Sequence, residues 1–201
     1  MAPSGLLRKP GEVAAKVVAA IAETLDAAAA ALAAKDEHAA SAALDQVQTT
    51  EKDLAAFDIA AAEGLEVVRH SPFRRRQLGL AIALSDLHEP LDHGSRNLRV
   101  LVRRCVVAVW RGDQVPEAYQ DLIRRLADAC RLIAKELAEH RLPTAARDQL
   151  REIAEDSAHL PLTQSMSAVV ILAQIRSMVA DLMQLTGIEY ADARELIPDM
   201  D

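Results

Sequence analysis

The sequence predicts an all-α protein: a helical bundle of about seven helices, entered through a long N-terminal antiparallel helical hairpin. Three observations predict it. About a fifth of the 201 residues are alanine, the best helix former. Aromatic residues make up 2% of the chain and there are only 7 glycines; with β-branched residues also sparse, a β-sandwich or a glycine-punctuated parallel sheet is excluded. Apolar residues recur at spacings of three and four in one segment after another, the period of a helix with a buried face.

Residues 1–10 read as a lead-in. From about Gly11 to Lys35, Val18, Ile21, Leu25, Ala28 and Leu32 form a lengthwise seam. Asp36 is placed to cap a second helix reaching about Arg69, whose stripe is Ala40, Leu44, Val47, Leu54, Ala61, Leu65 and Val68, with Phe57 beside it. Alanine-lined seams let helix axes approach closely, so residues 11–69 are expected to form a hairpin about 45 Å long at 1.5 Å rise per residue. The same small-residue faces could pair with a second copy, which makes a homo-oligomer an expectation.

Ser71-Pro72 interrupts the pattern, because proline rejects helix interiors. A shorter helix is expected from about Phe73 to Leu87, then a corner at His88-Glu89-Pro90 and a helix from Leu91 to Arg111 closed by Gly112. Pro116 opens the next, reaching about His140 with Tyr119, Leu122, Leu126, Ile133 and Leu137 inward. Another runs from Leu142-Pro143-Thr144 to before Pro161. Thr163 or Ser165 caps a helix that ends at Thr186-Gly187, and a short one covers Tyr190 to Leu196. Residues 70–201 are thus read as a bundle packed with the hairpin into one soluble domain.

Composition narrows function. With 23 basic against 30 acidic side chains and a net charge of -7, the chain lacks the dominant basic surface of a general nucleic-acid binder. Cys105 and Cys130 are too few for a disulfide scaffold or a Cys-ligated zinc site, and both fall on apolar helical faces where thiols are inert. The opening residues carry no hydrophobic signal segment. The longest apolar run, Ala27 to Ala34, falls short of the ~20 residues a membrane span requires, so no crossing is expected within the chain.

Charge is segregated. Residues 1–70 hold 6 basic and 11 acidic side chains, residues 71–112 hold 8 and 3, and residues 113–201 hold 9 and 16. The middle is a basic island. On its helix, Arg96, Arg99, Arg103 and Trp110 project within about 60° of one another, opposite Leu98, Leu101, Val102, Cys105 and Val109. This guanidinium ladder, with Arg74, Arg75 and Arg76, is a candidate contact surface for anions or acidic headgroups, since arginine forks bind carboxylates and phosphates bidentately. The alternative is a solvated face balanced by acidic neighbours.

The seventh helix is apolar around most of its circumference, as a central helix is, with one polar stripe of Gln174, Ser177, Asp181 and Gln184. Arg176 points away from that stripe. Desolvating a lone guanidinium costs several kcal/mol, so Arg176 is expected in a buried ion pair or as the anchor of a carboxylate ligand, unless it snorkels to solvent.

No catalytic constellation emerges. His88 and His93 sit about 140° apart on a helix, not on one face as a metal-binding pair would, and there is no glycine-rich phosphate loop. Asp156 and Asp181 are ordinary polar positions unless a cleft surrounds them. The expectation is a protein that is not an enzyme, with no cofactor and no metal.

Three stretches, Ser71-Pro72-Phe73-Arg74-Arg75, Arg96-Asn-Leu-Arg-Val-Leu-Val-Arg-Arg104, and Val170-Ile-Leu-Ala-Gln-Ile-Arg-Ser177 continuing through Asp181-Leu-Met-Gln-Leu-Thr-Gly187, together with the alanine-rich entry helices, are similar to one family. The chain resembles the C-terminal cytoplasmic region of actinobacterial FUSC-like proteins, the fusaric acid resistance or aromatic acid exporter family of inner-membrane proteins. The resemblance spans about Leu6 to Ile197. It implies a non-enzymatic domain on the cytoplasmic face of the membrane that supports assembly or regulation of small-molecule transport. Its implied partners are the membrane-spanning part of the same protein and a small aromatic acid, and it assigns no catalytic residues. A basic island turned toward anionic headgroups agrees with that placement. Two other readings stand beside it: a free-standing helical adaptor and an anionic-ligand-sensing regulatory domain.

Overall fold

Alanine-rich amphipathic segments have one way to satisfy their backbone and bury their stripes together, and the chain takes it. The computed structural model describes residues 5–69 and 78–200, and every regular element among them is an α-helix. They are α1 (Gly5–Ala34), α2 (Glu37–Arg69), α3 (Leu78–Asp86), α4 (His88–Arg111), α5 (Glu117–Ala138), α6 (Arg147–Ala158), α7 (Met166–Leu185) and the short α8 (Tyr190–Glu195). The all-α bundle with its long N-terminal hairpin is therefore the architecture observed.

The α1–α2 hairpin turns at Lys35. Asp36 accepts the His38 and Ala39 amides on Oδ1 at 2.9 and 3.0 Å, capping α2 as its position in sequence implies. Val18, Ile21, Leu25, Ala28 and Leu32 are all buried, because α1 lies between α2 and α5. Its small-residue seam is filled from within the chain. α2 in turn packs on α4, α4 on α7, and α7 also touches α5, α6 and α8. One apolar core runs through hairpin and bundle alike, and α7 is central to the latter, with Ile171, Leu172, Ile175, Met178, Val179, Leu182, Met183 and Leu185 buried.

Several boundaries differ from the sequence reading. α1 begins at Gly5 and continues through Pro10, which is buried, instead of starting at Gly11. Gly11 marks a close approach: a Cβ there would lie 3.1 Å from His140 Nδ1 and 3.3 Å from the Leu137 carbonyl at the end of α5. α4 starts at His88, with Pro90 inside its first turn, where a missing amide costs nothing; the corner lies one residue earlier, at Leu87. Of the two candidate caps for α7, Ser165 serves, its Oγ accepting the Ala168 amide at 3.2 Å. Ser71-Pro72 and Phe73, the expected start of the third helix, lie outside the described residues.

A second correction concerns membrane length. Pro10–Ala34 and Met166–Leu185 are each long and apolar enough to cross a bilayer by length and composition, though more than half of each is buried against other helices. Alanine explains the discrepancy: it keeps a segment apolar without the long runs of Leu, Ile and Val that mark a span by eye, and both segments tolerate isolated charges such as Glu23, Asp26, Arg176 and Asp181.

Candidate functional site

α4 carries Gly94 and Ser95 on its buried side, and their small size lets α7 come close; a Cβ on Gly94 would touch the Asp181 Cβ at 3.8 Å. That crossing drags the polar stripe of α7 into the seam. Asp181, 5% exposed, becomes a buried carboxylate. Asn97, next along α4, donates its side-chain amide to Asp181 Oδ2 at 2.7 Å. Burial pushes the Asp181 carboxyl up to about 6, against the opposing pull of Asn97 and of nearby His93.

The seam opens into a groove of about 740 Å³ between α4, α7, α8 and the chain that follows α8. Its apolar surface comes from Leu162, Val169, Leu172, Ile197 and Met200, and its charged and polar groups include Asp181, Asp199, Asn97 and His93 together with Arg96, Arg176 and Arg194. Arg194 lies over the Tyr190 ring, 5.7 Å from its centroid, and has no carboxylate partner among the described residues. Arg176 and Arg194 on apolar walls, with Arg96 already paired to Asp92 and the acids Asp181 and Asp199 alongside, form a site suited to a small organic anion. A neighbouring groove of about 790 Å³ shares His93 and Tyr190 but adds Asp86 and Glu89 and no arginine, so it does not offer an anion the same welcome.

Arg176 is half-buried, not fully buried, and neither of its hydrogen-bond partners is acidic: one sits on α6, the other in the chain after α8. It donates to the Ser157 hydroxyl at 2.8 Å and to the Pro198 carbonyl. Burial lowers its pKa, with Asp199 the acid that counteracts the fall. The expected ion pair with an acid on another helix is thus replaced by two neutral acceptors. They use two of its five N–H donors, and the side chain lines the groove.

The arginine ladder is partly discharged. Arg96 pairs with Asp92 at 2.7 Å, one turn back on α4, and Arg99 pairs with Glu51 of α2. Arg103 reaches no carboxylate among the described residues. Arg74 and Arg75 lie outside the described residues, so their share in the ladder does not bear on it. His88 goes to Asp58 of α2 at 2.5 Å, while His93 lines the groove, and among the described residues no three His, Cys, Asp or Glu side chains converge as metal ligands. Cys105 and Cys130 are fully buried, their thiols pushed up to about 12 by desolvation, which removes the reactive thiolate at neutral pH.

Asn97 was visible in sequence only as part of a similar stretch, not as a site residue. Its role depends on Asp181, 84 positions away, and the local signal was the small pair Gly94-Ser95 ahead of it.

No family model matches the chain, and no solved structure matches it. It is similar to an uncharacterized protein of Corynebacterium glutamicum, 32% identical over 202 aligned residues that take in 95% of this chain. The chain spans about half, 51%, of that relative's length.

Proposed function

We propose that this chain is a non-enzymatic cytoplasmic domain of a larger membrane transport protein of the aromatic acid exporter type, and that it senses a small organic acid in the α4–α7–α8 groove. The groove carries the reading: apolar walls for a ring, Arg176 and Arg194 for a carboxylate, and a volume of about 740 Å³ that exceeds the needs of a benzoate-sized acid. The resemblance of the Arg96–Arg104 and Val170–Gly187 stretches to FUSC-like proteins supports it, as does a relative whose length leaves room for a second part of similar size. Both the transport role and the ligand are tested in cells that carry the complete coding sequence. Deleting the gene is expected to slow efflux of radiolabelled benzoate and raise sensitivity to it; unchanged efflux contradicts the transport reading.

The adaptor reading has one observation in its favour. The outer face of α2 exposes Ile59, with Ala55, Ala56 and Ala62 around it, a small apolar strip on which another helix could lie. Light scattering decides whether a second copy occupies it: a concentrated monomer would count against self-association.

A further inference from the structure

From Arg96 to Arg111, α4 carries five arginines and no acid; the flanking carboxylates are Asp92 before this stretch and Asp113 beyond the Gly112 cap. The two N-terminal arginines are spoken for by Asp92 and Glu51. Arg103, Arg104 and Arg111 have no carboxylate partner among the described residues. Beside them Trp110 is 67% exposed and Val100 40% exposed, a large aromatic ring and a branched aliphatic left in water on a charged face. A protein of net charge -7 that gathers unpaired cations around an exposed indole has built a surface for something anionic with an apolar interior. Indole rings settle at the headgroup level of bilayers, and arginines beside them gain from anionic lipid.

We propose that the C-terminal half of α4 is a docking surface for an anionic lipid bilayer, with Trp110 inserted at the headgroup boundary and Arg103, Arg104 and Arg111 on lipid phosphates. A duplex or single-stranded nucleic acid is the weaker candidate, because the acidic remainder of the protein would repel its extended backbone. The surface points away from the apolar side of α4 and does not depend on ligand occupancy of the groove.

Trp110 is the chain's one tryptophan, so intrinsic fluorescence reports this spot alone. The 201-residue chain is titrated with vesicles of equal parts phosphatidylglycerol and phosphatidylcholine, and with phosphatidylcholine vesicles. The expected result is an emission shift to shorter wavelength with the anionic vesicles only, quenching by lipids brominated near the headgroup, and reversal by high salt. Combined Arg103→Gln, Arg104→Gln and Arg111→Gln substitution, on exposed or half-exposed positions that leave the fold intact by circular dichroism, is expected to weaken partitioning on the order of tenfold or more. Equal binding to neutral vesicles, or binding unchanged in the triple variant, would overturn the proposal and point to insertion of apolar α1 or α7. No shift with either vesicle would also overturn it, as would a shift produced by an oligonucleotide and not by anionic vesicles.

Discussion

The α1–α5 seam and the α4–α7 seam are both close, largely apolar helix-on-helix contacts, yet the second carries the desolvated Asp181 carboxyl. On α1 the interior is Val17, Val18, Ile21, Leu25 and Ala28, and its buried Thr24 hydroxyl bonds back to its own helix at the Ala20 carbonyl, 2.8 Å away. At α4–α7 the crossing holds Gly94, Ser95, Asn97 and an ionisable Asp181 whose burial opposes its charge. The first seam lowers the free energy of the fold. The second buries apolar side chains too, but its desolvated Asp181 offsets part of that gain, and such a group beside an open groove is where binding chemistry is expected.

The largest effect that can break this comparison is a cavity in the first seam. Leu25→Ala, at a fully buried position, is expected to cost about 3 kcal/mol. A chemical denaturation midpoint left unchanged would mean that the hairpin is not part of the cooperative core.

Asp181→Asn should act in the other direction. Because the native carboxyl titrates at about 6, above its unfolded value, the folded state holds the proton more tightly; the contribution is full at low pH and is lost as pH rises through the window from about 4 to about 6. Asparagine can still accept from Asn97, so the variant is expected to gain about 1–2 kcal/mol at pH 7 and to lose that pH dependence. A destabilised variant would make Asp181 a structural residue.

Arg176→Ala removes the bonds to Ser157 and Pro198 and is expected to lower the melting temperature by a few degrees, from a loss of about 1 kcal/mol at a half-exposed site. An unchanged melting curve would show the side chain free in solution.

The smallest effect concerns helix ends. Gly112 and Gly187 close α4 and α7 at φ 69 and 84, and Lys35 and His140 do the same after α1 and α5 at φ 54 and 58. In each case the next residue's amide returns to a carbonyl five back, as Asp36 does to Ala31 at 3.1 Å and Arg141 to Glu136 at 2.9 Å. Lys35→Gly is expected to raise stability by about 0.5 kcal/mol, measured by denaturant midpoint, since only the lysine pays a steric penalty there.

Those four ends also show what the sequence could reveal. The glycines announce their helix ends by residue type; Lys35 and His140 adopt the same geometry under the pull of packing on either side and carry no such mark. Helix faces were legible because three- and four-residue spacing reports burial on a single element, as at Tyr119, Leu122, Leu126, Ile133 and Leu137, all buried. Pairings between elements were not. A helical projection of α4 groups Arg99 with Arg103 but cannot see Glu51 on α2, and the polar stripe of α7 cannot show that Gly94 will let α4 close over Asp181. Arg176 was legible as an oddity, while its partners Ser157 and Pro198 lie 19 and 22 residues away in parts of the chain that carry no sign of it.

The central claim is that the α4–α7–α8 groove receives a small carboxylate on Arg176. Calorimetric titration of benzoate into the wild-type chain and into Arg176→Gln tests it most directly, with folding of both confirmed by circular dichroism. Saturable millimolar or tighter binding to the wild type, lost in the variant, is the predicted result. No heat of binding in the wild type, or equal affinity in both proteins, would contradict it.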